Sequence, residues 1–263
     1  MDLLEELKGR PSGELPLELV GALANPHITL TDFAAQEELV GDRALQAEVG
    51  YRKDGEGVWQ VSYCCPMPAV TPDMLRWWYW WYPKGDVRYQ AWYPESHESV
   101  GYRESDRDYF ERGVRPSFHD NELHVVHRVG KDRMPLAVKY VKPEEFAFDT
   151  KALHKAGVPI AFCAKIGSNR GAMLHTAATQ LYLKSDEGGL ELVGRYWIGQ
   201  LLPWKWMRKR MTGEELAHDV CEYALIASRN LAERLPELYA AYGPGDEAYQ
   251  EEAPASAKRK KKH

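Results

Sequence analysis

The chain has only four cysteines in 263 residues, at positions 64, 65, 163 and 221. None falls in a paired C-x-x-C spacing, and the adjacent Cys64 and Cys65 are poorly placed to bridge each other, so neither a disulfide framework nor a zinc ribbon is expected. No run of about eighteen apolar residues occurs, which argues against a spanning helix. The N-terminus carries Asp2, Glu5 and Glu6 rather than a basic stretch followed by an apolar one, so no secretory leader is expected and a reducing cytoplasm is the expected location. Internal repeats are absent. Positive charge is in deficit as well, with 34 Lys and Arg against 39 Asp and Glu, a formal net charge of -5. Because Lys258, Arg259, Lys260, Lys261 and Lys262 cluster at the end, the remainder holds about -10, an unsuitable body for nucleic acid.

What is present is a globular composition, 44% hydrophobic, with an unusual load of nine Trp and fifteen Tyr. Residues 1–40 read as short helices broken by Pro11, Pro16 and Pro26, too small to fold alone and suited to a cap or a dimerisation element, so a homodimer is the expected assembly. Strands are expected at Leu45 to Tyr51 and Val58 to Cys64, joined as a hairpin through Asp54 and Gly57. Thr71-Pro72-Asp73 starts a helix over Met74 to Tyr82. Further strands are expected at Arg88 to Trp92, Leu123 to Val129, Leu136 to Val141, Ile160 to Ile166, Met173 to Leu183 and Leu190 to Ile198. Thr212 and Glu215 form a capping box for a helix reaching Tyr242, with Leu216, Val220, Tyr223, Ala227, Leu231 and Leu235 recurring on one side. The expected architecture is α+β: a curved antiparallel sheet around a long C-terminal helix, the helix-grip arrangement, over residues 41–245. A cavity between sheet and helix is its default ligand site. The tail, 246–263, has the composition of a disordered basic segment.

Several side chains in this frame carry chemistry. His218 and Glu222 stand four apart on the helix and share a face, a spacing that serves a metal ion or a helix-stabilising pair. In the strand at 123–129, alternation puts His127 between Val125 and Val129, as a bonded core histidine or as a ligand. His175 repeats this pattern on a face with Ala177, Thr179 and Leu181. His97 follows Tyr93-Pro94-Glu95-Ser96, a loop position over a cavity mouth or a solvent-exposed one. The run Trp77 to Tyr82 makes every side of a helical turn aromatic, which demands burial on more than one face and offers a wall for a planar ligand or plain core contact.

The stretches Met74-Leu75-Arg76-Trp77-Trp78-Tyr79-Trp80-Trp81 and Arg88-Tyr89-Gln90-Ala91-Trp92-Tyr93-Pro94-Glu95-Ser96-His97 resemble the signature of the diacetylphloroglucinol hydrolase and phloretin hydrolase family. Met173-Leu174-His175, Arg195-Tyr196-Trp197-Ile198-Gly199 and His218-x-x-x-Glu222 followed by Leu235-Pro236-Glu237-Leu238-Tyr239 extend the resemblance over roughly residues 45 to 242. It implies a zinc-dependent, Bet v 1-like hydrolase that cleaves the carbon-carbon bond between a polyhydroxylated ring and its acyl group. Carried over residue by residue, it places the metal on His97, His127, His218 and Glu222, proton transfer on His175, and an oxygen contact on Tyr89. His127 stands where the family has Glu, so iron or manganese joins zinc as a candidate. Tyr82 and Trp80 also depart from the family's His and Gly.

The expectation is therefore a hydrolase of a small aromatic ketone of the acylphloroglucinol or phloretin type, with no nucleic-acid or membrane partner. His175 and Tyr89 would be catalytic, with Tyr89, Trp77, Trp78, Trp81 and Trp92 around the substrate. A non-haem oxygenase using the three-His, one-Glu set, or a non-catalytic carrier of hydrophobic ligands, are the alternatives.

Overall fold

The computed structural model describes residues 2–111, 120–168 and 173–244; the tail at 246–263 lies outside them. Eight strands, β1 (Gly50–Lys53), β2 (Trp59–Met67), β3 (His97–Tyr102), β4 (Glu122–Val129), β5 (Asp132–Val141), β6 (Ile160–Ser168), β7 (Leu174–Lys184) and β8 (Leu190–Ile198), form one antiparallel sheet. Their order is β1-β2-β8-β7-β6-β5-β4-β3, so the chain crosses from one edge to the other between β2 and β3. Two helices make that crossing, Pro72–Trp81 and Asp86–Trp92. The C-terminal helix, Glu214–Tyr242, packs on β1 and β2 at one flank and on β4 at the other, which requires the sheet to curl around it. The helix-grip expectation is met.

Local chemistry explains the elements. The β1–β2 turn is closed by Asp54, whose carboxylate accepts from Glu56 N and Val58 N, while Gly57 takes the left-handed conformation at φ 86°. Thr71 caps the aromatic helix by accepting from Met74 N at 3.3 Å, and Pro72 occupies its first turn.

Three expectations need correction. Leu45 and Gln46 belong to a helical turn, because the Asp42 carboxylate captures Ala44 N and Leu45 N, and β1 begins only at Gly50. Arg88 to Trp92 is helix rather than strand. Five residues of apolar-polar alternation fit a single helical turn as well as a strand, and Asp86 in the first turn favours the helix. Thr212 does not cap the long helix: its hydroxyl donates back to Arg208 O, and the N-cap is Gly213.

The sheet buries apolar side chains on both faces. On one, Trp77, Trp78, Leu225, Leu231 and Leu235 join strand residues such as Val61 and Tyr63. On the other, Leu39, Phe146, Phe148 and Leu153 cover Cys163, Ala177, Leu181 and Trp197. The N-terminal segment is tied to the long helix by Arg234. This guanidinium, 1% exposed, donates to Leu7 O, Arg10 O, Pro11 O and Ala91 O. All four cysteines are free thiols.

Candidate active site

Between the sheet and the long helix lies a cavity of about 330 Å³. Tyr79 faces it from the aromatic helix, Tyr82 from the turn that follows, Tyr89 and Trp92 from the next helix, His127 from β4, His175 and Gln180 from β7, and Tyr223 from the long helix. Among the described residues, its lining includes no Asp, Glu, Lys or Arg. Its polar groups are imidazoles, phenols, an amide and two threonines. Burial keeps them neutral: it holds Tyr79, Tyr82, Tyr89 and Tyr223 well above the ordinary phenol range, draws His175 down, and lowers His127 to about 4.

The aromatic wall differs from the expectation. Of Trp77, Trp78, Trp81 and Trp92, only Trp92 lines the cavity, and its indole N–H donates to Ala227 O at 2.7 Å. Trp77 and Trp81 stack on each other and lie against Tyr239 and Tyr242, while Trp78 stacks on Tyr82. The reason is helical phase. Tyr79 and Tyr82, three apart, share the cavity side, and Trp77 and Trp81, four apart, share the side facing the C-terminal helix.

His97 lies at the start of β3, 2% exposed, behind Tyr89 rather than at a cavity mouth. The Tyr89 and His97 rings stack at 3.7 Å. His97 Nδ1 donates to the backbone O of Tyr89 at 3.0 Å, since a carbonyl only accepts. Its Nε2 is then an acceptor and takes the Tyr223 hydroxyl hydrogen at 2.9 Å. Burial, then the facing His127, push His97 well below the ordinary imidazole value. His127 is paired with His97 across the β3–β4 ladder. Its Nδ1 is 3.0 Å from the Tyr89 hydroxyl and 3.5 Å from that of Tyr223.

His175 reaches the cavity by a route that strand alternation does not describe. Ala177, Thr179 and Leu181 face the opposite side of the sheet, whereas Thr176, Ala178 and Gln180 line the cavity. A register shift opposite Ile166 and Gly167 puts His175 on the cavity side with Thr176, whose hydroxyl lies 2.8 Å from His175 Nδ1. Gly167 makes room for it, because a Cβ there would lie 2.2 Å from Met173 O.

The four expected metal ligands are not gathered at one point. Among the described residues, the one group of three or more His, Cys, Asp or Glu whose ligand atoms lie within 4.8 Å of one another is His218, Asp219 and Glu222. His218 and Glu222 line a separate shallow groove with Tyr93, Glu95 and residues of the N-terminal segment. The cavity side of the helix carries Leu216, Val220 and Tyr223 instead. Among the described lining residues, a divalent cation in the cavity would meet the imidazoles of His127 and His175 and neutral phenols, with no carboxylate to offset its desolvation. The cavity residues thus do not fit the expected zinc centre, nor a three-His, one-Glu oxygenase site. Tyr223, missed as a site residue in the sequence, was nevertheless on the apolar stripe with Leu216, Val220 and Ala227.

A curled antiparallel sheet gripping a long helix, with an aromatic cavity between, defines a helix-grip protein. Residues 30–240 match the DAPG hydrolase PhiG domain, and the chain belongs to the DAPG hydrolase family. It is 26% identical over 226 residues to phloretin hydrolase of Eubacterium ramulus, a stretch covering 77% of this chain and 75% of that one. It is 24% identical over 200 residues to 2,4-diacetylphloroglucinol hydrolase of Pseudomonas sp, covering 67% of this chain and 65% of the relative, slightly under two thirds of its length. Among solved structures, the crystal structure of Ara h 8.0201 aligns with 70% of this chain and 99% of its own at 12% identity and a TM-score of 0.39. A protein of unknown function from Staphylococcus aureus aligns with 69% and 95% at 9% identity and a TM-score of 0.38. No described helix is long and apolar enough to cross a membrane.

Proposed function

We propose that this chain hydrolyses the carbon-carbon bond joining an acyl group to a phenolic ring. The observation that carries the reading is the cavity itself: an uncharged, tyrosine-rich chamber with two neutral imidazoles, His127 and His175, on different strands. The names of the relatives, phloretin hydrolase and 2,4-diacetylphloroglucinol hydrolase, supply the substrate class. About 330 Å³ is at the small end of ligand cavities and suits one substituted ring.

In this reaction water adds its oxygen to the acyl carbonyl, the ring-acyl bond breaks, and a proton ends on the ring carbon, giving the free phenol and a carboxylic acid. The ring carbon leaves only if it is protonated, so a group must take a proton from water and one must reach the ring. His175 is the group we assign to this transfer. Burial keeps it unprotonated and able to accept, and the Thr176 hydroxyl at Nδ1 fixes its ring. Tyr89 donates its hydrogen to His127 Nδ1 and keeps a lone pair for a phenolic O–H of the substrate. Tyr79, Tyr82 and Trp92 provide the faces on which the ring stacks.

Incubating the purified protein with phloretin or 2,4-diacetylphloroglucinol and separating the products tests the reading. The expected result is equal amounts of deacylated phenol and carboxylic acid. Saturable binding of both compounds without products would make the chain a carrier.

A further inference from the structure

We propose that Tyr223 occupies the place a divalent cation would need between His97 and His127, so that this cavity holds its ligand's oxygen through neutral hydrogen bonds and without a metal ion. The cavity is the one to which the hydrolase reading assigns the chemistry, but the two ideas have separate readouts.

His97 has both ring nitrogens engaged. Its Nδ1–H is committed to Tyr89 O, which leaves Nε2 as its one lone pair for a metal or a donor. That lone pair is taken by the Tyr223 hydroxyl at 2.9 Å. His127 Nδ1 points to the same oxygen at 3.5 Å and to the Tyr89 hydroxyl at 3.0 Å. An ion ligated by both nitrogens must lie about 2.0–2.1 Å from each. The Tyr223 oxygen already lies between them, on a half-buried ring of the long helix stacked against Tyr93 at 5.8 Å.

Charge points the same way. Bringing a doubly charged ion into a chamber walled largely by apolar and aromatic side chains requires anionic ligands or several strong dipoles. The described lining residues include no carboxylate, and His218 and Glu222, which the spacing had offered, line the outer groove. Instead, the Tyr223 hydroxyl donates to His97 Nε2 and the Tyr89 hydroxyl to His127 Nδ1, so both imidazole lone pairs are taken by neutral phenols.

The test measures metal rather than turnover. The full-length protein, purified without chelator and without an affinity tag, is titrated with Co²⁺ and followed by visible absorption. Tyr223→Glu, which puts a carboxylate at that spot, is treated identically. The proposal expects no cavity cobalt spectrum in the native protein and a saturable one in Tyr223→Glu that is lost when His127→Ala is added. It is overturned if the native protein gives a one-to-one cobalt spectrum that disappears in His97→Ala or His127→Ala. Cobalt that persists in both variants and departs with His218→Ala belongs to the outer cluster and leaves the cavity metal-free, as proposed. Should Tyr223→Glu fail to fold, the ¹⁵N shifts of His97 in the native protein decide the matter. Nδ1 protonated and Nε2 unprotonated, unchanged by added Zn²⁺, supports the proposal; a Zn²⁺-dependent shift at Nε2 overturns it. Metal-free protein with no hydrolysis would sink the functional reading alone, and hydrolysis by protein whose metal is lost in His97→Ala or His127→Ala would sink this inference alone.

Discussion

The Tyr223 hydroxyl donates to His97 Nε2 across 2.9 Å, joining the long helix to the first residue of β3 at the back of the cavity. The bond has a fixed direction because the other imidazole nitrogen is held by a backbone carbonyl. It orders the ring of Tyr89, which lies over His97, and with it the phenol nearest His127.

Replacing Tyr223 with Phe leaves His97 Nε2 buried without a donor. The cost should be about 1–3 kcal/mol in unfolding free energy, the usual range for an orphaned buried acceptor. Urea denaturation of the two proteins measures it, and an unchanged midpoint would mean that the bond is not made.

His175→Ala should fold normally, since His175 is only half-buried and lies at an irregularity of the strand, yet turnover should fall by about a hundredfold or more. Single-turnover assays with phloretin separate this from a binding defect. A change in KM alone would restrict His175 to binding.

Stability should decline on acidification in a way that His127 controls. The folded protein holds His127 at about 4, while the unfolded chain has the ordinary value of 6.5. Between these values the unfolded state binds the extra proton, so stability is present in full above 6.5 and is lost as pH falls towards 4. The slope from this group is on the order of 1.4 kcal/mol per pH unit. Denaturant midpoints at pH 7, 6 and 5 should fall less steeply in His127→Gln than in the native protein, and parallel curves would contradict the assignment.

Gly194 on β8 lets the Tyr63 ring lie flat across the sheet, where an added Cβ would stand 2.1 Å from a ring carbon. Tyr63 accepts from Gln180, which in turn accepts from Tyr79, so the contact reaches the cavity wall. Gly194→Ala should cost about 1–3 kcal/mol and weaken ligand binding together. Thermal unfolding and a binding titration with diacetylphloroglucinol report the two effects.

Much of this frame was legible in the residues. Thr71-Pro72-Asp73 marked a helix start because a hydroxyl cap, a fixed φ and a carboxylate each favour that end, and Val125, His127 and Val129 marked an inward face because strand side chains alternate. Helical phase was harder. Spacing of four says that His218 and Glu222 share a face, but not that the face meets the cavity. The stripe Leu216, Val220, Tyr223 and Ala227 held that information and assigns the cavity to Tyr223. His175 was placed inward on an alternation that fails. Its neighbours Ala177 and Leu181 face the other core, and the strand irregularity that puts it in the cavity depends on Gly167 in the adjacent strand, which no local pattern reveals.

The most direct measurement of the hydrolase reading is the fate of oxygen in a reaction run in H₂¹⁸O under ordinary air. With phloretin as substrate, the account predicts one ¹⁸O atom from water in the carboxyl group of each released acid, one deacylated phenol per acid, and no oxygen consumption. Carboxyl oxygen drawn from O₂, or consumption of O₂ in step with substrate loss, would contradict it.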